Sequence, residues 1–484
     1  MSDKDLENPS RRRVLAGLAA APALATLPGC DSSSIPGNRD LPRAATAAEL
    51  GLPPLPDPKD SGIDHIVVVM MENRSFDHML GWVPGADGKQ GGLTFPDAQR
   101  KPVSTFRLSQ VPEYGFQGCA WVDPDHGYDG GRLEFHGGAM DGFLLTDGTK
   151  AHANDYFPIG YYTAEDLPFY RGCAENWTIC DKYFSGILSA TIPNRIYMHA
   201  GQTDRNSNSL ETSTLPTIWD RLAAKGLTGM YYAPDLPLIT LWGSKYVNIT
   251  RPFDEFLVDA AAGRLPNVTY IDPAFGGSVG EGPGLSKDDH PHADVRDGQD
   301  FLNTIYDALR SSPQWDKTLL VINYDEWGGF YDHVPPPMAP VSDTEQTGIA
   351  PQGNDGRLGM RVPCVLIGPR VKKAQVESLQ FDPNSILNLI CWRFGLDGLG
   401  VRAATSINMA YALDFASAPR SDAPAFSVPA GPFGQPCTNE IVPAAGVPMS
   451  AMDPVTRSFA MHQLEMMGLR NLALRSGFSL GPGF

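Results

Sequence analysis

Two apolar runs, each ending in a pair of oxygen-bearing side chains, constrain the fold of this chain most. One run ends in Glu72 and Asn73, and the other ends in Asp325 and Glu326. Nearly continuous apolar runs of this length are typical of buried strands in a parallel sheet. Because the carboxyl ends of such strands meet at one edge, we expect the four side chains to converge. Their carboxylate and amide oxygens would suit a hard divalent cation.

Each pair also has a simpler interpretation when it is taken alone. Asp325-Glu326 is compatible with a turn after a strand, and Glu72-Asn73 with the N-cap of a helix. The residues that follow favour site loops, because Asp77-His78 is polar and Gly328-Gly329 permits unusual backbone angles.

The rest of the chain predicts an α/β protein. It has 484 residues, of which 42% are hydrophobic, so a substantial core can form. Apolar runs alternate with segments of helical periodicity, which indicates a sheet between helical layers. Strands are predicted at 63–71, 229–233, 266–271, 318–324 and 362–367, and helices at 167–183, 215–225, 298–310, 385–394 and 454–475.

The predicted organisation is a signal peptide at 1–29, a flexible tether at 30–60 and one catalytic domain at 61–484. The domain includes a Pro-rich arm at 416–450 and ends in the helix at 454–475. The formal charge of −17 argues against general nucleic-acid binding, which needs basic surfaces. The Met and Leu residues of this helix are expected to pack in the core.

The N-terminus predicts export. Arg11, Arg12 and Arg13 resemble a twin-arginine motif, and the apolar stretch after them is too short for a confident membrane span. Cys30 follows in a context that resembles a lipoprotein cleavage box, although Pro28 is unusual there. The product would be a periplasmic, cell-surface lipoprotein or secreted protein without a transmembrane span. A disordered tail with chance arginines is the alternative.

Six cysteines follow Cys30, and none form a CxxC pair, so a structural zinc site is not expected. Cys364 and Cys391 lie in apolar segments and are expected to be buried thiols. For Cys173 and Cys180, pairing after export and unpaired burial both remain open.

The segment 189–197 offers a candidate nucleophile. Pro193 predicts a turn that presents the Thr191 hydroxyl, which a metal ion would activate. Asn194 would donate to a phosphoryl oxygen, and Arg195 would hold phosphate or merely a carboxylate. An ordinary polar turn is the alternative.

Three histidines are candidates for proton transfer or phosphate contact. Acidic neighbours of His290 are expected to raise its pKa and favour a proton-donating imidazolium. A surface histidine in an acidic loop is the alternative. His126 lies in a Gly-rich loop, and His333 follows the second apolar run, where it would bind phosphate or orient Asp332.

Five blocks of the sequence together resemble one family. Residues 70–81, 189–197, 288–302, 324–337 and 361–371 are similar, in this order, to the bacterial phosphoesterase family, which contains phosphatidylcholine-type phospholipases C and respiratory-burst-inhibiting acid phosphatases. The resemblance implies a three-layer α/β/α sandwich with a central, mostly parallel sheet, of the alkaline-phosphatase-like kind, and one metal ion. The implied ligands are Glu72, Asn73, Thr191, Asp325 and Glu326.

The resemblance also implies further roles at matching positions. Thr191 would be the nucleophile, His126 and His290 would contact the phosphate and leaving group, and Asn194 would line the same pocket. Many relatives have a histidine where this chain has Pro383. Any role of that histidine must be absent here or supplied elsewhere.

The sequence thus predicts an exported, metal-dependent phosphoric ester hydrolase that forms a phosphothreonine intermediate. The preferred prediction for the reaction is phospholipase C-type cleavage of a phospholipid at a membrane surface, and hydrolysis of small phosphomonoesters is the alternative. A non-catalytic surface lipoprotein is the second alternative. Calcium, magnesium or manganese is favoured over zinc. Candidates for an apolar surface at the site mouth, equally compatible with core, are Phe143, Leu144, Leu145, Tyr156 and Phe157.

Overall fold

A computed structural model describes residues 46–145, 155–276, 283–350, 352–437 and 452–480. The predicted signal peptide, Cys30 and the first half of the predicted tether lie outside the described residues. All of the described residues belong to one compact unit.

An eight-stranded sheet organises the described part of the chain. In chain order the strands are β1 (His65–Met71), β2 (Thr94–Pro96), β3 (Pro102–Ser104), β4 (Phe106–Arg107), β5 (Gly160–Tyr161), β6 (Thr178–Cys180), β7 (Gly229–Ala233), β8 (Thr250–Pro252), β9 (Val268–Ile271), β10 (Thr318–Tyr324), β11 (Cys364–Ile367) and β12 (Gln375–Glu377). The sheet order is β12-β6-β11-β10-β1-β9-β7-β8, and β2-β3 and β4-β5 form separate small pairs.

The sheet is mostly parallel, with β1 at its centre. β1 pairs in parallel with β10 on one side and β9 on the other, so that Val68 is opposite Val321 and Tyr270. Within this sheet, only β11 is antiparallel to its neighbours, β10 and β6. Every residue of β10 is buried, which requires that both faces of the sheet be covered.

Helices provide that cover. They are α1 (Phe76–Leu80), α2 (Tyr128–Phe135), α3 (Pro168–Asn176), α4 (Thr191–Ala200), α5 (Ile218–Ala224), α6 (Phe253–Ala261), α7 (Val295–Arg310), α8 (Asp343–Gly348), α9 (Pro383–Phe394) and α10 (Pro454–Arg475). α7 contacts α3 and α6, whereas α4 contacts α5 and α9, as two helical layers would. The predicted α/β fold with a sheet between helices is confirmed.

Most predicted elements are present, and the helix predicted over 454–475 is α10. The helix predicted over 167–183 is wrong in its second half. It ends at Asn176, and the β-branched residues Thr178 and Ile179 continue as strand β6 beside β11. Residues 416–437 of the predicted arm contain neither helix nor strand, and the rest of the arm lies outside the described residues.

The cysteine pairing differs from the pair that the sequence left open. Cys119 and Cys437 form a disulfide across 318 residues of sequence. Cys173 and Cys180 are free and buried, as are Cys364 and Cys391. The disulfide packs with Val122 and with α10 residues Val455 and Phe459, and so attaches the start of α10 to the loop around Cys119.

For the apolar residues, one open alternative is decided and one expectation is reversed. Surface and core were both open for Phe143, Leu144 and Phe157, and all three are buried in the core. The Met and Leu residues of α10, expected in the core, include Met461 and Leu464, which are 60% and 59% exposed. Among the described residues, no helix has the length and apolar character needed to cross a bilayer.

Candidate active site

The structure brings the two predicted pairs of oxygen-bearing residues together at the carboxyl edge of β1 and β10. The backbone N–H of Asp325 donates to Met71 O at 3.1 Å, and that of Arg74 donates to Glu326 O at 3.1 Å. The N–H of Asn73 donates to Asp325 Oδ1 at 3.2 Å. The parallel register of the two strands therefore continues into the loops that carry the four side chains.

Unusual backbone angles make this close approach possible. Asn73 has a φ of 57°, in the left-handed region that asparagine tolerates better than most residues. Gly328 has a φ of 64°, and a Cβ atom there would lie 2.2 Å from Asn73 O. Any side chain at 328 would push the two loops apart.

A buried arginine joins three strand ends. Arg195 is 1% exposed, and its guanidinium contacts Asp272 Oδ1 at 2.8 Å, Glu72 Oε1 at 3.3 Å and Asp325 Oδ2 at 3.3 Å. Of the two roles that the sequence left open, Arg195 therefore has the carboxylate-binding one. Asp272 was missed, although it directly follows β9, and the rule that identified Glu72 and Asp325 would have found it.

The carboxylates at this edge exceed the positive charge available to them. Burial, then the charge of Asp325, raises the pKa of Glu72, and burial raises the pKa of Asp325. Burial raises the pKa of Glu326 to about 8. Asn73 Oδ1 and Glu326 Oε1 are buried and accept no hydrogen bond. Unpaired oxygens among crowded carboxylates are what a hard cation would satisfy, so these residues fit a divalent metal ion.

A second acidic group is less suited to a metal. Ligand atoms of Asp77, Asp332 and His333 lie within 4.8 Å of one another. The guanidinium of Arg361 already contacts Asp332 Oδ1 at 2.9 Å and Asp77 Oδ1 at 3.2 Å. His333 Nδ1 lies 2.5 Å from Asp77 Oδ2. We interpret this group as an ion-pair network, in which His333 orients the loop.

Thr191 is the first residue of α4, and it lines the same cavity as Glu72. The turn predicted at Pro193 is instead the first turn of this helix, where proline is tolerated because its missing N–H has no partner to lose. The positive end of the helix dipole thus lies at Thr191, where it stabilises negative charge.

Asn194 does not have its predicted place. Its amide nitrogen donates to the carbonyls of Ile187, Ser189 and Ala190, and its oxygen accepts from Ile187 N at 3.0 Å. The side chain holds the loop before α4 and is not among the cavity-lining residues. The structure contradicts its predicted phosphate contact.

The two candidate histidines differ in charge. The expectation for His290 is wrong, because burial lowers its pKa well below the usual range despite Asp123 Oδ2 at 3.5 Å. Burial also lowers the pKa of His126, but the negative charges of Glu326 and Asp123 have the larger combined effect and raise this pKa to about 10. A cation on Glu326 would weaken that effect. His126 Nδ1 lies 2.7 Å from Pro124 O, and Nε2 lies 3.9 Å from Glu326 Oε1.

Some of these groups line one cavity of about 340 Å³. Glu72, Thr191, His126 and His290 form one side, whereas Asn73, Asp325 and Glu326 are not among the lining residues. The other side comes from α10, which contributes the lining residues Pro454, Arg457, Ser458, Met461, His462, Glu465, Met466 and Leu469. No sequence pattern predicts this contribution, because the residues of α10 do not show where the helix packs.

Pro383, at the position where many relatives have a histidine, lies outside this cavity. Pro383 is the first residue of α9, and Asp382 caps that helix by accepting from Ser385 N at 3.0 Å. Pro383 is buried and is not among the residues that line the cavity. The one feature that favoured a non-catalytic lipoprotein therefore has no place at this site.

Comparison with known proteins identifies the family. The model of the Phosphoesterase family matches residues 63–397, a segment that includes both strand-end pairs and Thr191. The chain belongs to this family. As a member it is a hydrolase of phosphoric ester bonds.

Three named relatives are 31–32% identical to this phosphoesterase over the aligned residues. Non-specific phospholipase C6 of Arabidopsis thaliana is 31% identical over 395 residues, 75% of this chain and 74% of the plant protein. Non-specific phospholipase C3 of the same plant is 32% identical and is matched over 65% of its length. Phospholipase C A of Mycobacterium tuberculosis is 31% identical over 428 residues, 76% of this chain and 80% of that protein.

Solved structures are more distant. A protein of the alkaline phosphatase superfamily from Vibrio parahaemolyticus matches with 10% identity and a TM-score of 0.34, over 64% of this chain and 83% of that one. A likeness this low bears on neither the site nor the substrate.

The two acidic groups make different predictions for metal content. Glu326→Gln removes a charged ligand from the strand-end group, and we expect it to lower metal affinity about 10- to 100-fold or more. His333→Gln, the matched control in the other group, is expected to leave metal content unchanged. Elemental analysis of both variants after dialysis distinguishes the sites, and loss of metal only from His333→Gln would place the ion at Asp77 and Asp332.

A buried carboxyl behind the site predicts a pH effect on stability. Burial raises the pKa of Asp289 to about 7, although Tyr324 Oη donates to its Oδ2 at 2.5 Å. The folded state therefore binds this proton more tightly than the unfolded state. The stability contributed by the protonated carboxyl is lost as pH rises from about 4 through 7.

Asp289→Asn replaces the carboxyl by an amide that does not ionise, so the variant does not lose this stability as the pH rises. We expect the variant to unfold at a higher urea concentration than the wild type at pH 8, with a gain of about 2 kcal/mol, and the gain to shrink towards pH 4. Urea unfolding at both pH values measures it. A variant that is less stable at pH 8 than the wild type would contradict the assignment.

Proposed function

We propose that this phosphoesterase is an exported, metal-dependent enzyme that cleaves phospholipids in the manner of a phospholipase C and forms a phosphothreonine intermediate on Thr191. The observation that carries the proposal is the cavity that Thr191, at the start of α4, lines together with Glu72 and three imidazoles, one of which, His126, lies 3.9 Å from the unpaired Oε1 of Glu326. The names of the relatives support the substrate class.

The nucleophile in this proposal is Thr191, because it lines the cavity with Glu72 and is the first residue of α4, whose helix dipole favours a negative oxygen there. A threonine hydroxyl is a poor nucleophile until its proton is removed or its oxygen is bound by a cation. A divalent ion held by Glu72, Asn73, Asp325 and Glu326 would supply that activation and stabilise charge on the phosphoryl oxygens. Arg195 does not touch substrate in this scheme and instead fixes the distance between α4 and the sheet edge.

The reaction needs no reagent other than water. The Thr191 hydroxyl loses its proton as its oxygen forms a bond to phosphorus, the bond from phosphorus to the lipid oxygen breaks, and that oxygen takes up one proton to give diacylglycerol. His126 and His290 both line the cavity, and His126 is placed by its Nδ1 contact with Pro124 O. Water then hydrolyses the phosphothreonine and releases the phosphorylated head group.

The cavity shape favours a lipid head group over a whole lipid. Its volume of about 340 Å³ is near the lower end of ordinary ligand sites. Polar groups lie on the strand-end side, whereas Leu238, Phe275, Met466 and Leu469 add apolar surface. A small phosphomonoester would fit the polar side but would leave the apolar side without a partner.

Two observations support export. The arginines at 11–13 resemble a twin-arginine motif. The Cys119–Cys437 disulfide fits an oxidising compartment such as the periplasm or the exterior of the cell.

Substitution of the nucleophile tests the chemistry, and paired substrates test the class. We expect Thr191→Ala to abolish turnover and Thr191→Ser to retain some of it, because serine keeps the hydroxyl. Hydrolysis of nitrophenylphosphorylcholine but not nitrophenyl phosphate is expected from the wild type, and release of nitrophenolate measures both. Normal turnover by Thr191→Ala would contradict the nucleophile, and the reverse preference would select the phosphatase alternative.

Leaving-group dependence identifies the proton donor. Loss of a general acid is expected to cost about 10²–10⁴ in rate for the alkoxide of diacylglycerol, and less for nitrophenolate, which scarcely needs a proton. We expect His126→Gln to show this difference when phosphatidylcholine and nitrophenylphosphorylcholine are compared, with His290→Gln as the matched variant. Equal losses on both substrates would make His126 a phosphate-binding residue.

A further inference from the structure

The outward side of α10 is apolar. Leu464, Met467 and Leu474, which we call the outer face, are 59%, 54% and 47% exposed. Successive residues of a helix turn by about 100°, which places these three on one side. Leu469 and Ala473 lie on the opposite side and are buried. The helix therefore has two apolar sides, of which the described residues cover only one.

The covered side of α10 closes the active-site cavity. His462, Glu465, Met466 and Leu469 line that cavity with Thr191. The outer face is therefore about one helix diameter, roughly 10 Å, from the cavity wall that α10 forms. Met461 lines the cavity and is also 60% exposed, so the cavity opens at this helix and a partner bound to the outer face would lie beside the opening.

A neighbouring loop enlarges the apolar patch. Leu210 is 37% exposed and packs against Gly468, where a Cβ atom would lie 2.3 Å from Leu210 Cδ1. Glycine at 468 thus lets the loop and the helix lie side by side. The apolar patch is therefore broader than one helix.

The charge of α10 differs in sign from that of the protein. The helix carries Arg457, Arg470 and Arg475 but only one acidic residue, Glu465, which lines the cavity. Burial lowers the pKa of His462 to about 4, so this histidine adds no charge near neutral pH. A locally basic helix in a chain of charge −17 complements the phosphate groups of a lipid surface.

Hydrophobic packing around a disulfide fixes the start of α10. Val455 and Phe459 pack with Val122 and Cys437, whose disulfide to Cys119 closes the cluster. Val122 precedes Asp123, which lines the cavity. The helix therefore keeps a fixed position relative to the cavity while its outer face meets a partner.

We propose that the outer face of α10 docks on a phospholipid bilayer. Its Met and Leu side chains enter the boundary between head groups and acyl chains, as those of interfacial amphipathic helices do, and the arginines contact lipid phosphates. The phosphoester of a lipid lies at this depth, so docking brings the scissile group to the cavity mouth. The inference rests on the proposed phospholipase function and adds the surface by which the enzyme meets its substrate.

The test separates docking from catalysis. Leu464→Gln/Met467→Gln/Leu474→Gln changes three outer-face residues that do not line the cavity. The matched control, Val258→Gln/Val401→Gln, changes apolar residues of other elements that are 58% and 43% exposed. Full-length, metal-loaded protein is incubated with phosphatidylcholine vesicles, and sedimentation measures binding while diacylglycerol release measures hydrolysis.

We expect the triple variant to lose about tenfold or more in vesicle binding and vesicle hydrolysis, because three apolar side chains no longer enter the lipid. Its hydrolysis of soluble nitrophenylphosphorylcholine should equal that of the wild type, and the control should equal the wild type in all three assays. Binding should largely survive high salt, because the apolar contribution is not screened.

Three results would overturn the proposal. The first is vesicle binding by the triple variant that is as tight as that of the wild type. The second is a control that loses as much binding as the triple variant. The third is a wild-type dimer and a monomeric triple variant in light scattering, with unchanged vesicle binding, which would make the outer face a contact between two copies. A wild type that binds vesicles through this face but hydrolyses no phosphodiester would refute the proposed function and leave the docking intact.

Discussion

The active site depends on the contacts of one buried guanidinium. Arg195 binds carboxylates that follow three adjacent strands, Glu72 after β1, Asp272 after β9 and Asp325 after β10. It lies one helical turn after Thr191, so the same contacts set the distance from the proposed nucleophile to the sheet edge. A buried charge network of this kind is costly to form but very costly to break, which favours one fixed geometry. One guanidinium does not balance the buried carboxylates, and the remaining negative charge is what a divalent cation would neutralise.

The cavity is assembled from two parts of the chain with different properties. The strand-end side is rigid, polar and buried, and its backbone is held by hydrogen bonds between the loops after β1 and β10. The other side is α10, attached at its start by the Cys119–Cys437 cluster and carrying apolar residues on its outer face. The first part supplies what phosphoryl transfer needs from the protein, namely fixed charge and position. The second part joins that chemistry to a surface, which a soluble phosphomonoester would not require.

Sequence reasoning succeeded where a local pattern has one physical cause. Buried parallel strands have continuous apolar sequences, so the sequence predicts β1 and β10. It also predicts that the residues after these strands converge, namely Glu72, Asn73, Asp325 and Glu326. It failed where the outcome depends on tertiary environment. Acidic neighbours suggested a charged His290, but burial outweighs them and lowers its pKa. Asn194 has a side chain suited to phosphate, yet the loop before α4 uses all of its hydrogen bonds. The periodicity of α10 showed an apolar side but could not show whether protein covers it.

Anomalous diffraction from a crystal grown with Mn²⁺ tests the central claim most directly, because manganese scatters strongly and accepts the same oxygen ligands as magnesium. The account predicts one anomalous peak per chain, with oxygens of Glu72, Asn73, Thr191, Asp325 and Glu326 around it at about 2.0–2.4 Å. A peak at Asp77, Asp332 and His333 instead, or a manganese ion out of reach of the Thr191 hydroxyl, would contradict it.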